Sequence, residues 1–216
     1  MWTSFIELIR ATIFAAAHVC GGSLGGGVVA VSTLVRLALL PLTLRMAREA
    51  LARQRATLAL RPELERLQKR FAKDPSRLLT ETKALHGRHG IQLLDPRPLL
   101  GGLVQMPLLI GLYSAVRSGL GAGVRFLWIA DLARPDRLLV VAVAGLSVVA
   151  MTAAPQPTPT QSVPTAALVL AGAFTFVALW TASSTIALSW GAGSLVSTLQ
   201  GWLLRRELAH QAARAG

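Results

Sequence analysis

Residues 25–44 read GGGVVAVSTLVRLALLPLTL and carry a single charge, on Arg36. One helix needs about 20 apolar residues to cross the hydrocarbon core of a bilayer, so this stretch is long enough to span it. The composition of the whole chain agrees, because 53% of its 216 residues are hydrophobic and only 15% are charged. Such a composition is too apolar for a soluble domain of this length and indicates a membrane protein.

Further uncharged stretches predict an all-α, polytopic membrane protein with five transmembrane helices in a single domain, residues 1–216. The predicted spans are residues 25–44, 98–116, 138–154, 165–180 and 185–204. Prolines at positions 155, 157 and 159 end the third span, because proline breaks the hydrogen-bond ladder of a helix. Residues 1–19 mix Glu7 and Arg10 with apolar side chains, which favours an external helix at the membrane interface over a cleaved signal peptide.

The charged segment between the first two spans, residues 45–97, is predicted to be a helical hairpin outside the membrane. Two apolar stripes recur at helical spacing, one on each arm. They consist of Leu60, Leu64, Leu67 and Phe71 on the first arm and of Leu78, Leu79, Thr82 and Leu85 on the second. Asp74 is a suitable N-cap for the second arm and Pro75 suits its first position, whereas Pro62 is expected to kink or restart the first arm.

The distribution of Lys and Arg predicts the orientation, since these residues concentrate on the cytoplasmic side of a membrane. Residues 45–97 carry thirteen of the 22 basic residues and residues 205–216 carry three, whereas five lie in segments on the opposite side. The hairpin and a C-terminal tail, residues 205–216, are therefore predicted to be cytoplasmic, with the N-terminus outside. This placement explains the net charge of +12 without a specific nucleic-acid partner.

Arg36 needs an explanation, because a charged side chain at the centre of a span costs about 2.5–3.5 kcal/mol on insertion scales. None of the ten acidic residues lies in a predicted span, and arginine keeps its proton, so water, backbone carbonyls or polar side chains must solvate it. A hydrated cavity that attracts negative groups is favoured over a snorkelled surface arginine. The candidates for this substrate-binding groove are Arg36, Gln105, Ser189, Ser194, Ser197 and Gln200.

Several motifs resemble those of the YidC/Oxa family of membrane protein insertases. Residues 35–42, VRLALLPL, look like the Arg-bearing groove helix of that family, with its Leu-rich, Pro-terminated end. Two further motifs match in order and spacing, and the closing helix at 190–200 matches more loosely. They are QMPL at 105–108, followed by Leu112 and Tyr113, and FLWIADL at 126–132, followed by Pro135 and Asp136. The resemblance covers nearly the whole chain.

The resemblance implies an insertase that uses no nucleotide or other cofactor. In this family a groove open to the cytoplasm and to lipid presents the arginine, here Arg36, to the hydrophilic and often acidic N-terminal region of a nascent membrane protein. The apolar segment of that protein is then thought to slide along the second and fourth helices into the lipid bilayer. The resemblance also implies a bacterial inner membrane and, as further partners, the Sec channel and the ribosome, beside which the family can work.

Departures from the family pattern leave other functions open. Residues 95–98 read DPRP ahead of the second span, residues 183–185 read SST where the family usually has Pro and Gly, and Ser194 replaces an Asn. These differences keep a specialised or weakly active paralogue, acting as a membrane scaffold, as one alternative. A small-solute transporter is another, although the predicted spans lack the titratable side chains of proton relays.

An enzyme is not predicted. Ser189 has no general base within a predicted span, and His86 with His89 has no third metal ligand nearby in the sequence. The single cysteine, Cys20, excludes an internal disulfide. We therefore expect neither a metal nor a cofactor.

Overall fold

The computed structural model describes residues 2–72, 74–89, 106, 109–117, 119–156 and 163–215. These residues form seven helices and a further helical segment at 109–117. The helices are α1 (Trp2–Val19), α2 (Leu24–Ala59), α3 (Arg61–Arg70), α4 (Pro75–Arg88), α5 (Arg137–Ala153), α6 (Thr165–Leu179) and α7 (Ser184–Ala215). Within the described residues the only β-type pairing is an isolated bridge between Phe126 and Ile129, so the predicted all-α fold class is confirmed.

The first predicted span lies in α2, a continuous helix of 36 residues that also takes in the start of the charged segment. Its N-cap is Ser23, whose Oγ accepts a hydrogen bond from the backbone N–H of Gly26 at 3.2 Å. The helix passes through Pro41 and ends just before α3, which has Pro62 in its first turn. The restart predicted at Pro62 is confirmed. The first arm of the hairpin is α3 alone, because the residues before it extend α2.

In the described part of the chain, one helix is long and apolar enough to cross a membrane. Only α2 combines at least 18 residues with sufficient hydropathy, since α5 and α6 are apolar but have 17 and 15 residues. Ser, Thr, Gly and Gln interrupt the apolar residues in the first half of α7, and most of the predicted span 98–116 lies outside the described residues. The five-span arrangement and its boundaries therefore stay predictions.

Helices α3 and α4 pack against each other as a hairpin. The Asp74 carboxylate accepts hydrogen bonds from Ser76 Oγ at 2.7 Å and from the N–H of Arg77 at 3.1 Å, and Pro75 occupies the first turn of α4. The predicted N-cap is thus confirmed. These two hydrogen bonds stabilise the charged carboxylate and hold the pKa of Asp74 below its ordinary value. Leu79, at 57% exposure, lies off the packed face of the hairpin.

Helix α7 packs lengthwise against α5, and the two run in the same direction. Their contacts join Val143 to Gly191, Ser147 to Ser194 and Ala153 to Gly201. The partners differ by 47 or 48 in residue number throughout, which requires parallel helices, since an antiparallel pair would keep the sum of the numbers constant. At Gly201 the backbones approach so closely that a Cβ atom would lie 2.5 Å from the carbonyl oxygen of Ala153.

A buried apolar core lies at the end of the bundle where α2, α5 and α7 begin. Its members include Ile13 of α1, Val28 of α2, Leu112 of segment 109–117, Leu132 of the following loop and Val140 of α5. This core holds the first turns of α2, α5 and α7 together at one end of the bundle.

The loop 119–136 seals this core and is bonded to the first turn of α7. The carbonyl oxygen of Leu132 accepts hydrogen bonds from the N–H and Oγ1 of Thr185, at 3.1 and 2.9 Å. The carbonyl oxygen of Arg134 accepts two more, from the N–H and Oγ of Ser184, at 2.9 and 2.7 Å. The SST junction at 183–185 therefore supplies buried hydroxyls that hold the FLWIADL loop in place.

Candidate functional site

The contact between α2 and α7, which we call the α2–α7 seam, is formed by three pairs of residues. Ser32 Oγ donates a hydrogen bond to Ser189 Oγ at 3.0 Å, Arg36 lies against Gly193, and Gln200 Nε2 donates to the carbonyl oxygen of Thr43 at 3.2 Å. Each pair differs by 157 in residue number, so α2 and α7 are parallel and in register. The three pairs lie at positions i, i+4 and i+11 of both helices, on one face of each. The contact therefore extends over about 16 Å along the helix axes.

Arg36 lies half-buried in the middle of the seam. Its Nη1 atom donates a hydrogen bond to the carbonyl oxygen of Ser32, one turn earlier, at 3.1 Å. Its Nη2 atom is buried and has no hydrogen-bond partner within the described residues. Because arginine stays protonated, the seam holds a charged donor with unused capacity in a setting where an unmet polar group is costly.

Two of the residues predicted for the polar groove belong to the seam with Arg36. Ser189 is fully buried and accepts the hydrogen bond from Ser32. Gln200 is half-buried and bridges to α2 through its side-chain amide. Arg36, Ser189 and Gln200 thus share one face of the α2–α7 contact.

The other predicted residues lie elsewhere. Ser194 is buried, but its Oγ lies 3.1 Å from Ser147 Oγ of α5, within hydrogen-bond distance, so it faces the other neighbour of α7. Ser197 is exposed and outside the seam. Gln105 lies outside the described residues.

Sequence reasoning missed three members of the seam. Ser32 could have been found, because it is a polar residue one helical turn before Arg36, where its carbonyl oxygen can accept a hydrogen bond from the guanidinium. Gly193 follows Ser189 by one turn, but a residue without a side chain gives no polar signal. Thr43 contributes only a backbone carbonyl oxygen, which no sequence pattern identifies.

Beyond the seam, a group of charged contacts, which we call the clasp, ties α7 to α2 and to the end of α5. Arg48 Nη2 and Nε of α2 donate to the two carboxylate oxygens of Glu207 at 2.7 and 3.0 Å, a bidentate ion pair. Arg205 of α7 donates to the carbonyl oxygens of Thr152 and Ala154, at the end of α5. The residues predicted as a tail therefore continue α7 to Ala215 and tie it to both neighbours.

A cleft of about 480 Å³ lies near the starting end of α7. Segment 109–117 contributes Tyr113 and Val116, the end of α6 contributes Leu179, and the start of α7 contributes Ile186 and Trp190. The walls are mainly apolar, and parts of the second and fourth predicted spans meet there.

An apolar helix of spanning length with a charged arginine inside it is typical of membrane proteins that handle polar groups within the bilayer. The comparison with protein families identifies the family of membrane proteins to which the chain belongs. The model of the 60Kd inner membrane protein family matches residues 15–211, and the chain therefore belongs to this family, that of the YidC/Oxa proteins. The predicted family is confirmed, and it is a family of inner membrane proteins and not of enzymes.

Three relatives carry names that describe membrane protein insertion. The chain is 34% identical to "Membrane protein insertase YidC" of Clostridium tetani over 120 residues, 55% of this chain and 52% of the relative. It is 34% identical to "Membrane protein insertase YidC 1" of Halalkalibacterium halodurans over 139 residues, 61% and 50% of the two chains. It is 35% identical to "Membrane protein insertase MisCA" of Bacillus subtilis over 128 residues, 56% and 45%. The chain spans about half the length of these curated relatives.

Proposed function

We propose that this chain is a membrane protein insertase, which helps apolar segments of newly made proteins to enter the lipid bilayer. Membership of the YidC/Oxa family and the names of its relatives support this activity. The observation that carries the proposal is the Nη2 atom of Arg36, a buried charged donor without a partner in the described part of the chain. A site of this kind fits a negative group that arrives from another molecule.

Arg36 is proposed to bind an acidic group in the hydrophilic region that precedes the apolar segment of the substrate. The hydrogen bond from Nη1 to the carbonyl oxygen of Ser32 fixes the guanidinium, and its unpaired charge is proposed to attract the carboxylate. A hydrogen bond to a charged group contributes about 1.5–3 kcal/mol, enough to hold a substrate transiently without trapping it. The polar seam residues Ser189 and Gln200 are proposed to line the same hydrated groove.

The apolar segment of the substrate is proposed to follow the cleft between segment 109–117, α6 and α7. Helix α6 supports this route, because Val169, Leu170, Phe174 and Val177 are all exposed. Transfer of apolar surface from water to lipid releases about 25 cal/mol per Å², so the substrate itself supplies the driving force. No nucleotide or other cofactor is part of the proposed mechanism.

The proposed topology has five spans, with the N-terminus outside and residues 45–97 and 205–216 in the cytoplasm. The parallel direction of α2, α5 and α7 supports it, because the first, third and fifth spans of an alternating chain must all run the same way. Residues 1–19 are proposed to lie at the outer interface. The proposed partners are nascent membrane proteins and lipid, with the Sec channel and the ribosome on the cytoplasmic side.

The test is rescue of bacteria depleted of their own insertase, with a small substrate whose translocated region is acidic. Wild type and Arg36→Lys are expected to restore insertion, whereas Arg36→Ala is expected to lose at least about tenfold, the equivalent of one charge-assisted hydrogen bond. Arg125→Ala is the matched control, because it removes an exposed arginine from a loop outside the spans. Failure of well-expressed wild type to rescue would contradict the proposal and favour a specialised paralogue acting as a scaffold.

A further inference from the structure

Gly193 faces the guanidinium of Arg36 at a distance that no other residue allows. A Cβ atom built at position 193 would lie 2.6 Å from Nε, 2.7 Å from Nη2 and 2.8 Å from Cζ of Arg36. Favourable contacts between non-bonded heavy atoms lie at about 3.5–4.0 Å, so even alanine would push the guanidinium away. The charged group of Arg36 can therefore lie flat against α7 only because residue 193 is glycine.

We propose that Gly193 is a positioning residue that holds the Arg36 guanidinium flat against α7 and so keeps its charge in the middle of the seam, where it attracts the carboxylate of a substrate. This inference rests on the proposed function. The guanidinium is fixed on one side by the Ser32 carbonyl oxygen, and Ser32 is itself bonded across the seam to Ser189. Gly193 bounds the guanidinium on the side of α7, one turn beyond Ser189 on the same helix.

The reason for such a device lies in the length of the arginine side chain. Four rotatable bonds allow the charged end of an arginine to snorkel along a helix towards the membrane surface. A guanidinium that moved there would lose the hydrogen bond to the Ser32 carbonyl oxygen that fixes it in the seam. The hydrogen bond to Ser32 and the flat surface at Gly193 together favour the single position seen in the seam.

Two other glycines show how the effect of Gly193 can be separated from ordinary packing. At Gly201 a Cβ atom would meet the backbone of Ala153, at 2.5 Å from its oxygen and 2.7 Å from its carbonyl carbon, so α5 and α7 would have to move apart. At Gly145 a Cβ atom meets nothing within 4 Å. At Gly193 the obstacle is the end of a flexible side chain, so alanine there displaces Arg36 and leaves the helices in place.

The experiment measures insertion in the rescue assay together with the unfolding temperature of the purified full chain in detergent. Gly193→Ala is expected to lower insertion by about tenfold, the equivalent of one charge-assisted hydrogen bond, and to leave the unfolding temperature unchanged. Gly145→Ala is expected to match wild type in both measurements. Gly201→Ala, the control for a backbone clash, is expected to lower the unfolding temperature.

The double variant Arg36→Lys with Gly193→Ala gives a readout that a packing role would not move. Lysine has a compact ammonium group and needs no flat surface, so the double variant is expected to insert as well as Arg36→Lys alone. Additive losses from the two changes would overturn the inference, as would a Gly193→Ala variant that unfolds like Gly201→Ala. Full activity of Gly193→Ala beside an inactive Arg36→Ala would also overturn it while leaving the proposed function intact. Full activity of Arg36→Ala would instead remove the proposed function.

Discussion

Two arginines on α2 meet α7 in opposite ways. Arg48, beyond the seam, forms a bidentate ion pair with Glu207, and about half of each side chain is exposed. Arg36, twelve residues earlier, forms one hydrogen bond to its own helix and presents Nη2 to no partner in the described structure. The satisfied charge holds the helices together, and the unsatisfied charge is the one that we propose to act on another molecule.

The largest effect is expected when Arg36 is given the kind of partner that Arg48 has. Ser189→Asp places a carboxylate on the seam, one turn from Gly193, and an internal ion pair would then occupy the guanidinium. We expect insertion to fall at least about tenfold, to the level of Arg36→Ala, although the arginine is still present. Insertion in the depletion strain measures this.

Ser189→Asn is the matched control, because it has the same shape as the aspartate and can accept the hydrogen bond from Ser32 without a charge. It should retain most of the activity. Equal activity of the Asp and Asn variants would mean that the free charge of Arg36 is not what the substrate uses.

A smaller and opposite effect is expected at the clasp. Arg48→Ala or Glu207→Gln should lower the unfolding temperature in detergent by a few degrees and leave insertion nearly unchanged, because this pair is exposed and its charges are already neutralised. The loss should shrink at high salt, which screens exposed pairs.

The charge-reversed double variant, Arg48→Glu with Glu207→Arg, should recover the unfolding temperature, since the pair is formed again in the opposite sense. A clasp variant that inserted as poorly as Arg36→Ala would contradict the expectation that Arg48 serves stability and not insertion.

The smallest effect is expected at Asp74, another charge that is satisfied within the chain. Its pKa is lower in the folded protein than the ordinary value of about 3.9, so its stabilising contribution is fully present above that value and is lost as the pH falls through the folded pKa. Hydrogen exchange, corrected for the intrinsic rate, should show weaker protection of the Arg77 amide at about pH 3 than at about pH 6. Insertion at neutral pH should not change.

Asp74→Asn provides the control for this titration. Asparagine is also a good N-cap but carries no charge, so the protection of the Arg77 amide should become independent of pH in this range. The same pH dependence in both proteins would show that another group controls the start of α4.

Local chemistry was predictable from the sequence where a few neighbouring residues decide the outcome. The N-cap at Asp74 and the restart at Pro62 are of this kind, because both depend on residues within one turn. Arg36 was also found, since its charge stands out in an apolar stretch. The sequence also predicted that a backbone carbonyl could solvate Arg36, but it did not identify Ser32 as the residue that provides it.

The arrangement of the seam could not be predicted in the same way. Helical periodicity shows that Ser189 and Gln200 lie on one helix but not which side of that helix faces α2. Ser194 and Ser197 were therefore grouped with them, although Ser194 packs against α5. The axial register, which places Gly193 beside Arg36, arises from tertiary packing between residues 157 apart, and no local pattern encodes it.

The offset of 157 residues also sets an order of events during synthesis. At about 5–20 residues per second, α2 exists for roughly 8–30 s before its counterpart across the seam has been made. During that interval Arg36 lies in the first helix without Ser189, Gly193 or Gln200 beside it. A nascent copy of this protein must therefore keep a lone charge in an apolar helix while the rest of the chain follows. It meets the same difficulty as the proteins it is proposed to insert.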